Sequence, residues 1–253
     1  MKRLTSIFVL AAAACGPQVP ANTTSGGFDG GQSIASLRAA PPAAKTSVKV
    51  GPGIVTAVKA LSKTNAGGFY MQDAAGGPQS GVWVYHGKVS TFDLPKVGDV
   101  VGVIGAYDVY KGQTELDGNS VTVLVLDSGH ALPPAFAISD ATQVAMSSSA
   151  QDAVLGQRIT VTGDLSVLSL MPDELKYVGT MATYYDGVKL ANNILLYTFY
   201  FGLANQCGLT ATSKIKSVSG VYDVYTPYAA AGAPPATSVR TIMPTDCTDI
   251  QAQ

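Results

Sequence analysis

Val103-Ile104-Gly105-Ala106-Tyr107-Asp108-Val109-Tyr110 returns 115 residues later as Val218-Ser219-Gly220-Val221-Tyr222-Asp223-Val224-Tyr225. Six of the eight positions are identical. β-Branched and aromatic residues alternating around a glycine predict a strand. The neighbours repeat in the same order. Gly53–Lys59 precedes the first copy and Arg158–Gly163 the second, while Thr114–Val125 follows the first and Ser238–Met243 the second. A shared order of strands at a fixed offset predicts one β module built twice, over about 47–130 and 151–250.

In the first module, strands are expected at about 48–61, 68–73, 81–86, 99–107 and 113–126. Gly76-Gly77-Pro78, Lys96-Val97-Gly98-Asp99 and Tyr110-Lys111-Gly112 supply turns between them. Five strands with a long first strand predict a five-stranded Greek-key barrel, which leaves no exposed sheet edge. The best helical candidate, Asp140–Leu155, carries Ser147-Ser148-Ser149 in its middle. The strand at Asn193–Gly202 is apolar on both faces, so it is expected where one module leans on the other.

Gly68-Phe69-Tyr70-Met71-Gln72-Asp73, then Ser80-Gly81-Val82-Trp83-Val84-Tyr85, then Val97-Gly98-Asp99-Val100-Val101-Gly102-Val103 resemble a known module. It is the OB-fold module that precedes the catalytic domain of secreted bacterial endonucleases. The likeness covers about 80 residues well. The second copy lacks the first of these blocks. The resemblance implies two tandem OB-like barrels and a polymer ligand. It implies no catalysis, because the nuclease domain of that family is a separate unit of 200 or more residues.

Side chains alternate across a strand. Phe69, Met71, Val82 and Val84 should fill the barrel, leaving Tyr70, Gln72, Trp83 and Tyr85 on its outer face. That face carries the only tryptophan. Outward aromatics stack bases or sugar rings, or they cover a domain interface. Both readings stay open at this point. Tyr107, Tyr110, Tyr222 and Tyr225 recur in the repeat and fit barrel closure.

The N-terminus reads Met1-Lys2-Arg3, then Ile7-Phe8-Val9-Leu10-Ala11-Ala12-Ala13-Ala14, then Cys15. A basic head, a short apolar run and small residues before a cut are the parts of a secretion signal. The run falls short of the roughly 20 residues that span a bilayer. With Cys15 following, the segment resembles a bacterial lipoprotein signal, although Ala12 stands where leucine is more usual. The resemblance implies cleavage after residue 14, lipidation of Cys15 and attachment to a membrane through that lipid alone. Gly16 rather than aspartate follows, which favours the outer membrane. Residues 15–46 are rich in Pro, Gly, Ser, Thr and Ala and are expected to be a disordered tether. Residues 131–150 are expected to be a linker.

Removing Lys2 and Arg3 from the 16 basic residues leaves 14 against 17 acidic, a net charge of −3. A phosphate backbone is normally met by a positive field, so charge disfavours the single-stranded nucleic acid that the resemblance favours. A glycan needs stacking without such a field. An envelope protein meeting the aromatic face is the structural alternative. Cys207 and Cys247, the pair left after Cys15, read as a disulfide in an oxidising compartment, or as two separate buried thiols. His86 and His130 are the only histidines. Neither has a partner at metal-binding spacing, and both are expected at the surface or in turns. No nucleophile elbow or phosphate loop is present. No cofactor or metal is expected.

Overall fold

The computed structural model describes residues 28–60, 67–87, 94–163, 165–171, 176–178, 181–183, 186–198, 203–225 and 238–253. The signal, Cys15 and the first half of the expected tether lie outside these residues.

The chain enters through helix α1 (Ile34–Ala39) and then forms β1 (Ser47–Ala60), β2 (Gly67–Gln72), β3 (Gly81–Gly87), β4 (Val100–Tyr110) and β5 (Gln113–Asp127). These five strands close a barrel in the order β1-β2-β3-β5-β4, with β3 and β5 parallel and the other pairs antiparallel. β1 serves both ends of the path, pairing β4 through its first half and β2 through its second. This is the expected OB-like barrel. Phe69, Met71, Val82 and Val84 fill it together with Val101, Val103, Tyr107 and Leu116, as strand alternation requires.

The second unit contains β6 (Phe136–Ile138), β7 (Arg158–Thr162), β8 (Val167–Met171), β9 (Lys176–Val178), β10 (Met181–Thr183), β11 (Asp186–Leu190) and β12 (Ile194–Thr198). After helix α2 (Leu203–Gln206) come β13 (Ile215–Tyr225), β14 (Val239–Met243) and β15 (Ile250–Ala252). The path β7-β13-β14-β12-β11-β8 repeats the order of the first barrel when β7 and β8 are taken as one first strand in two pieces. Parallel β12–β14 then corresponds to parallel β3–β5, and β13 corresponds to β4. The repeated eight-residue stretch thus occupies the same place in both units. Gly163, at φ +134°, ends β7 where β1 runs on unbroken. Three features are additions: β6 beside β7, β15 beside β13, and the β9–β10 hairpin.

Three segments differ from expectation. The described part of the tether, residues 28–46, is ordered. Ser33 caps α1, accepting from the Ser36 amide at 3.1 Å, and Asp73 accepts from the Ile34 and Ala35 amides at 3.0 and 2.9 Å. Ile34 and Leu37, on one helix face, join the first core, while Phe28 covers Gly102 so closely that a Cβ there would meet its ring at 2.5 Å. Residues 131–150 are not a free linker, because Ile138, Ala141 and Val144 are buried in the second core. The helix expected over 140–155 is two 3-10 turns, Ala141–Val144 and Asp152–Val154, with the serines between them. Cys207 and Cys247 form a disulfide that ties the end of α2 to the turn before β15.

Candidate functional site

The outer face of β2 and β3 holds the expected side chains, but the second unit covers most of it. Tyr70 and Trp83 are 1% and 7% exposed, and Gln72 is fully buried. The two rings meet with centroids 4.6 Å apart and planes tilted by 42°. Ala57, Val221 and Met243 complete their cluster, with Tyr85 half-buried at its edge. Trp83 lies against Gly68, where an added Cβ would meet the indole at 2.8 Å and the Val84 carbonyl at 2.0 Å. Of the two readings left open by sequence, the domain interface holds for Tyr70, Gln72 and Trp83. They are not a free docking surface.

Polar contacts fix this junction. Gln72 Oε1 accepts from the Arg158 amide at 3.0 Å, and Gln157 Oε1 accepts from the Ser80 amide at 3.2 Å. Each unit thus lends one glutamine to the backbone of the other. Arg38, on the segment expected to be tether, donates to the carbonyls of Gly81 at 2.9 Å and Leu155 at 2.7 Å. Lys59 Nζ stands 5.5 Å from the Trp83 ring and pairs with Asp223 at 3.2 Å. The strand expected to carry the contact, β12, is fully buried but contributes nothing to the cluster bridging the units among the described residues. Val221 in β13 and Met243 at the end of β14 carry it instead.

The uncovered remainder of the β3–β5 face is of different chemistry. β5 runs between β3 and β4, so Glu115 lies beside Trp83 on one side and directly opposite Asp108 on the other. Asp117 follows on the same face. Carboxylate oxygens of Asp108, Glu115 and Asp117 lie within 4.8 Å of one another. Lys45 Nζ bridges Asp108 at 2.5 Å and Asp117 at 2.9 Å. Hydrogen bonding to Lys45 holds the Asp108 carboxyl below its usual range, and the two aspartates raise Lys45 above its own. Glu115 is 8% exposed and has no hydrogen-bond partner among the described residues. Burial first, then the charges of Asp117 and Asp108, push it up to about 7. Burial and the same acidic neighbours raise the Tyr85 hydroxyl.

Two residues before Glu115 on that face, Gln113 is buried with its amide nitrogen unpartnered among the described residues. At the tip of the β4–β5 hairpin Tyr110 is 54% exposed, with Lys111 Nζ 5.1 Å from its ring. Sequence reasoning missed the acidic trio. Pairing β4 with β5 across the Tyr110-Lys111-Gly112 turn would have set Asp108 opposite Glu115.

The histidines lie elsewhere. His86 is buried at the end of β3, not at the surface, and burial lowers its pKa. His130 contacts Asp127 at 2.8 Å, beyond the far end of β5. Among the described residues the one cluster of potential ligating side chains contains no histidine or cysteine. No described helix is long and apolar enough to cross a membrane.

No family model matches the chain, and no curated protein matches it. One solved structure with some likeness is a replication protein A heterotrimer bound to single-stranded DNA. It is 12% identical over 81% of this chain with a TM-score of 0.27, and this chain spans 50% of that one. The OB-like assignment rests on strand order, which both units share.

Proposed function

We propose that this protein is a lipid-anchored, extracytoplasmic binding module for a neutral extracellular polysaccharide, without catalysis of its own. The observation that carries the reading is the chemistry left open on the first barrel once the second unit has covered Tyr70, Gln72 and Trp83. What remains is an aromatic edge at Tyr85, an exposed Tyr110, a buried amide donor at Gln113 and a buried carboxylate acceptor at Glu115. OB folds take ligands on strands two and three and on the loop between strands four and five, and this surface borders both. A sugar offers apolar ring faces and hydroxyls that both donate and accept. A phosphate backbone would meet three carboxylates here, so charge argues against the oligonucleotide alternative.

The test is an array of polysaccharides and oligonucleotides probed with full-length Cys15→Ser protein at low and high salt. Retention on neutral glycans is expected, unchanged by salt and lost in Tyr110→Ala. Salt-sensitive retention on oligonucleotides alone would overturn the reading. Membrane attachment is checked on the parent chain, whose mass should exceed the unmodified one by its acyl groups.

A second reading keeps an envelope protein as partner and moves it away from the aromatic face. Ile104 and Leu124 are exposed on the outside of β4 and β5, an apolar strip that suits such a contact. Crosslinking from position 104 in intact cells would find it.

A further inference from the structure

The outside of the repeated strand differs between the two units. Val101 and Val103 fill the first barrel, so Gly102 and Ile104 point out of it, and Val123 packing inward leaves Leu124 outside as well. Ile104 and Leu124 are 36% and 37% exposed. In the second unit, 115 residues on, Ser217 has Gln251 beside it and Ser219 meets the Thr160 hydroxyl at 2.8 Å. The strand folds equally well with a polar outer face, so the apolar strip is particular to the first barrel.

A second observation lies in the strip itself. Gly102 and Leu124 are cross-strand partners, and the Phe28 ring lies on Gly102. Phe28 is the first described residue, so the chain toward Cys15 leaves the barrel from this strip and not from the β4–β5 hairpin. Twelve residues, 16–27, separate Cys15 from Phe28. Fully extended, that length spans no more than about 45 Å. Lys49, the cross-strand partner of Ile104, holds its ammonium 4.7 Å from the Phe28 ring and donates to the Asp29 carbonyl. An apolar pair with an ammonium at its rim matches the acyl boundary of a bilayer below its phosphate headgroups.

We propose that Ile104 and Leu124 rest on the lipid surface to which the chain is anchored, with Lys49 at the headgroup phosphates. The inference rests on the membrane anchor of the proposed function and adds which face of the barrel is turned to the bilayer. Two side chains by themselves hold a bilayer weakly. The short connection to Cys15 raises their effective concentration at the surface, and that makes the contact.

The test uses the full acylated chain in vesicles of phosphatidylethanolamine and phosphatidylglycerol, with no other protein present. The vesicles include a phospholipid carrying a photoreactive diazirine at the top of its acyl chain. After illumination, mass spectrometry should find lipid adducts at Ile104 and Leu124, at least about fivefold denser than at Leu168, which is 59% exposed on the second unit. The double variant Ile104→Glu/Leu124→Glu should lose them, and its unchanged melting temperature would show that it folds. Adducts no denser at 104 and 124 than at 168 would overturn the proposal, as would adducts on β4 and β5 that the double variant retains. If Cys15 carries no acyl group, the anchor reading fails by itself. The same thiol is then coupled to a maleimide lipid in these vesicles, and the strip is judged by the same adducts. In intact cells, crosslinks from position 104 that reach a protein and no lipid would replace the lipid surface with the envelope partner of the second reading.

Discussion

The two copies of the eight-residue strand carry one aspartate each at the same register, and the two are put to opposite uses. In both, the carboxylate accepts from the next residue's amide, Val109 at 2.9 Å and Val224 at 2.7 Å. Beyond that local bond they part. Asp223 is buried and meets Lys59 across the junction, with neutral Thr241 opposite. Asp108 stays partly open, meets the exposed Lys45 and has Glu115 opposite and Asp117 nearby. A duplicated strand thus gave one unit an inward-facing clamp and left the other an outward-facing charge cluster. The difference lies in what packs on the strand and not in the strand itself. Asymmetry of this kind lets one copy hold the pair together while the other keeps its charges at the surface.

The largest expected effect comes from breaking the junction at its centre. Trp83→Ala should cost about 4 kcal/mol, the range for deleting a large aromatic from a packed site. It removes the ring that Tyr70, Val221 and Met243 share. Urea unfolding should also separate into two transitions as the units lose their coupling. A single transition with a loss below about 1 kcal/mol would mean that the indole is not what joins the units.

Next comes the clamp. Asp223→Asn keeps the shape that accepts from the Val224 amide but removes the charge that meets Lys59, whose side chain is only 13% exposed. Removing one member of a buried pair is expected to cost about 3 kcal/mol, read as a shift of the urea midpoint at unchanged slope. Lys59→Met in the same background should recover part of it, because the charge that Asp223 balanced leaves with the lysine.

How much of this was legible in the chain follows from the range of each signal. The first barrel's strands and inward set were readable because alternation and turn glycines are local. The repeat placed β4 and β13 correctly, since a shared order of neighbours survives where sequence has drifted. Burial of Trp83 was not readable. Alternation says which way a side chain leaves its own sheet, not what another unit lays over it. That covering depends on Gly81 and Gly156 meeting backbone to backbone, where a Cβ on Gly81 would lie 2.5 Å from the Gly156 carbonyl. The ordered part of the tether did leave a local trace. Ser33 followed by Ile34 and Leu37 is a cap and one turn of an amphipathic helix, masked by the small residues around it. In the same way Phe136 and Ile138 alternate across the expected linker. Glu115 needed pairing as well as period, because its neighbours come from two other strands.

The third comparison concerns the charge cluster. Glu115 has a folded pKa raised to about 7 from an ordinary value near 4.5. Between those values the folded state binds more protons than the unfolded one. Stability should therefore fall as pH rises from about 4.5 to 7 and then level off. Allowing for partial solvent screening, the loss is on the order of 2 kcal/mol. Glu115→Gln should flatten that slope and leave the protein more stable than the parent at pH 8. A parent curve that is flat or rising through the same window would show that burial and the acidic neighbours do not raise Glu115.

The smallest effect is the one that sharpens the comparison most. Asp108→Asn matches Asp223→Asn residue for residue, in a strand with six of eight identities. It breaks an ion pair whose lysine is exposed, a class of contact that contributes little. It also removes a negative charge facing Glu115. The two consequences oppose each other, so the melting temperature should stay within about 2 °C of the parent while the Asp223 variant drops by several degrees. Glu115 should at the same time titrate lower, because one of the charges that raises it is gone. Carboxyl carbon chemical shifts followed by NMR across pH 4 to 9 would read that change. Equal losses from the two substitutions would mean that the strand, and not what packs on it, sets the worth of its aspartate.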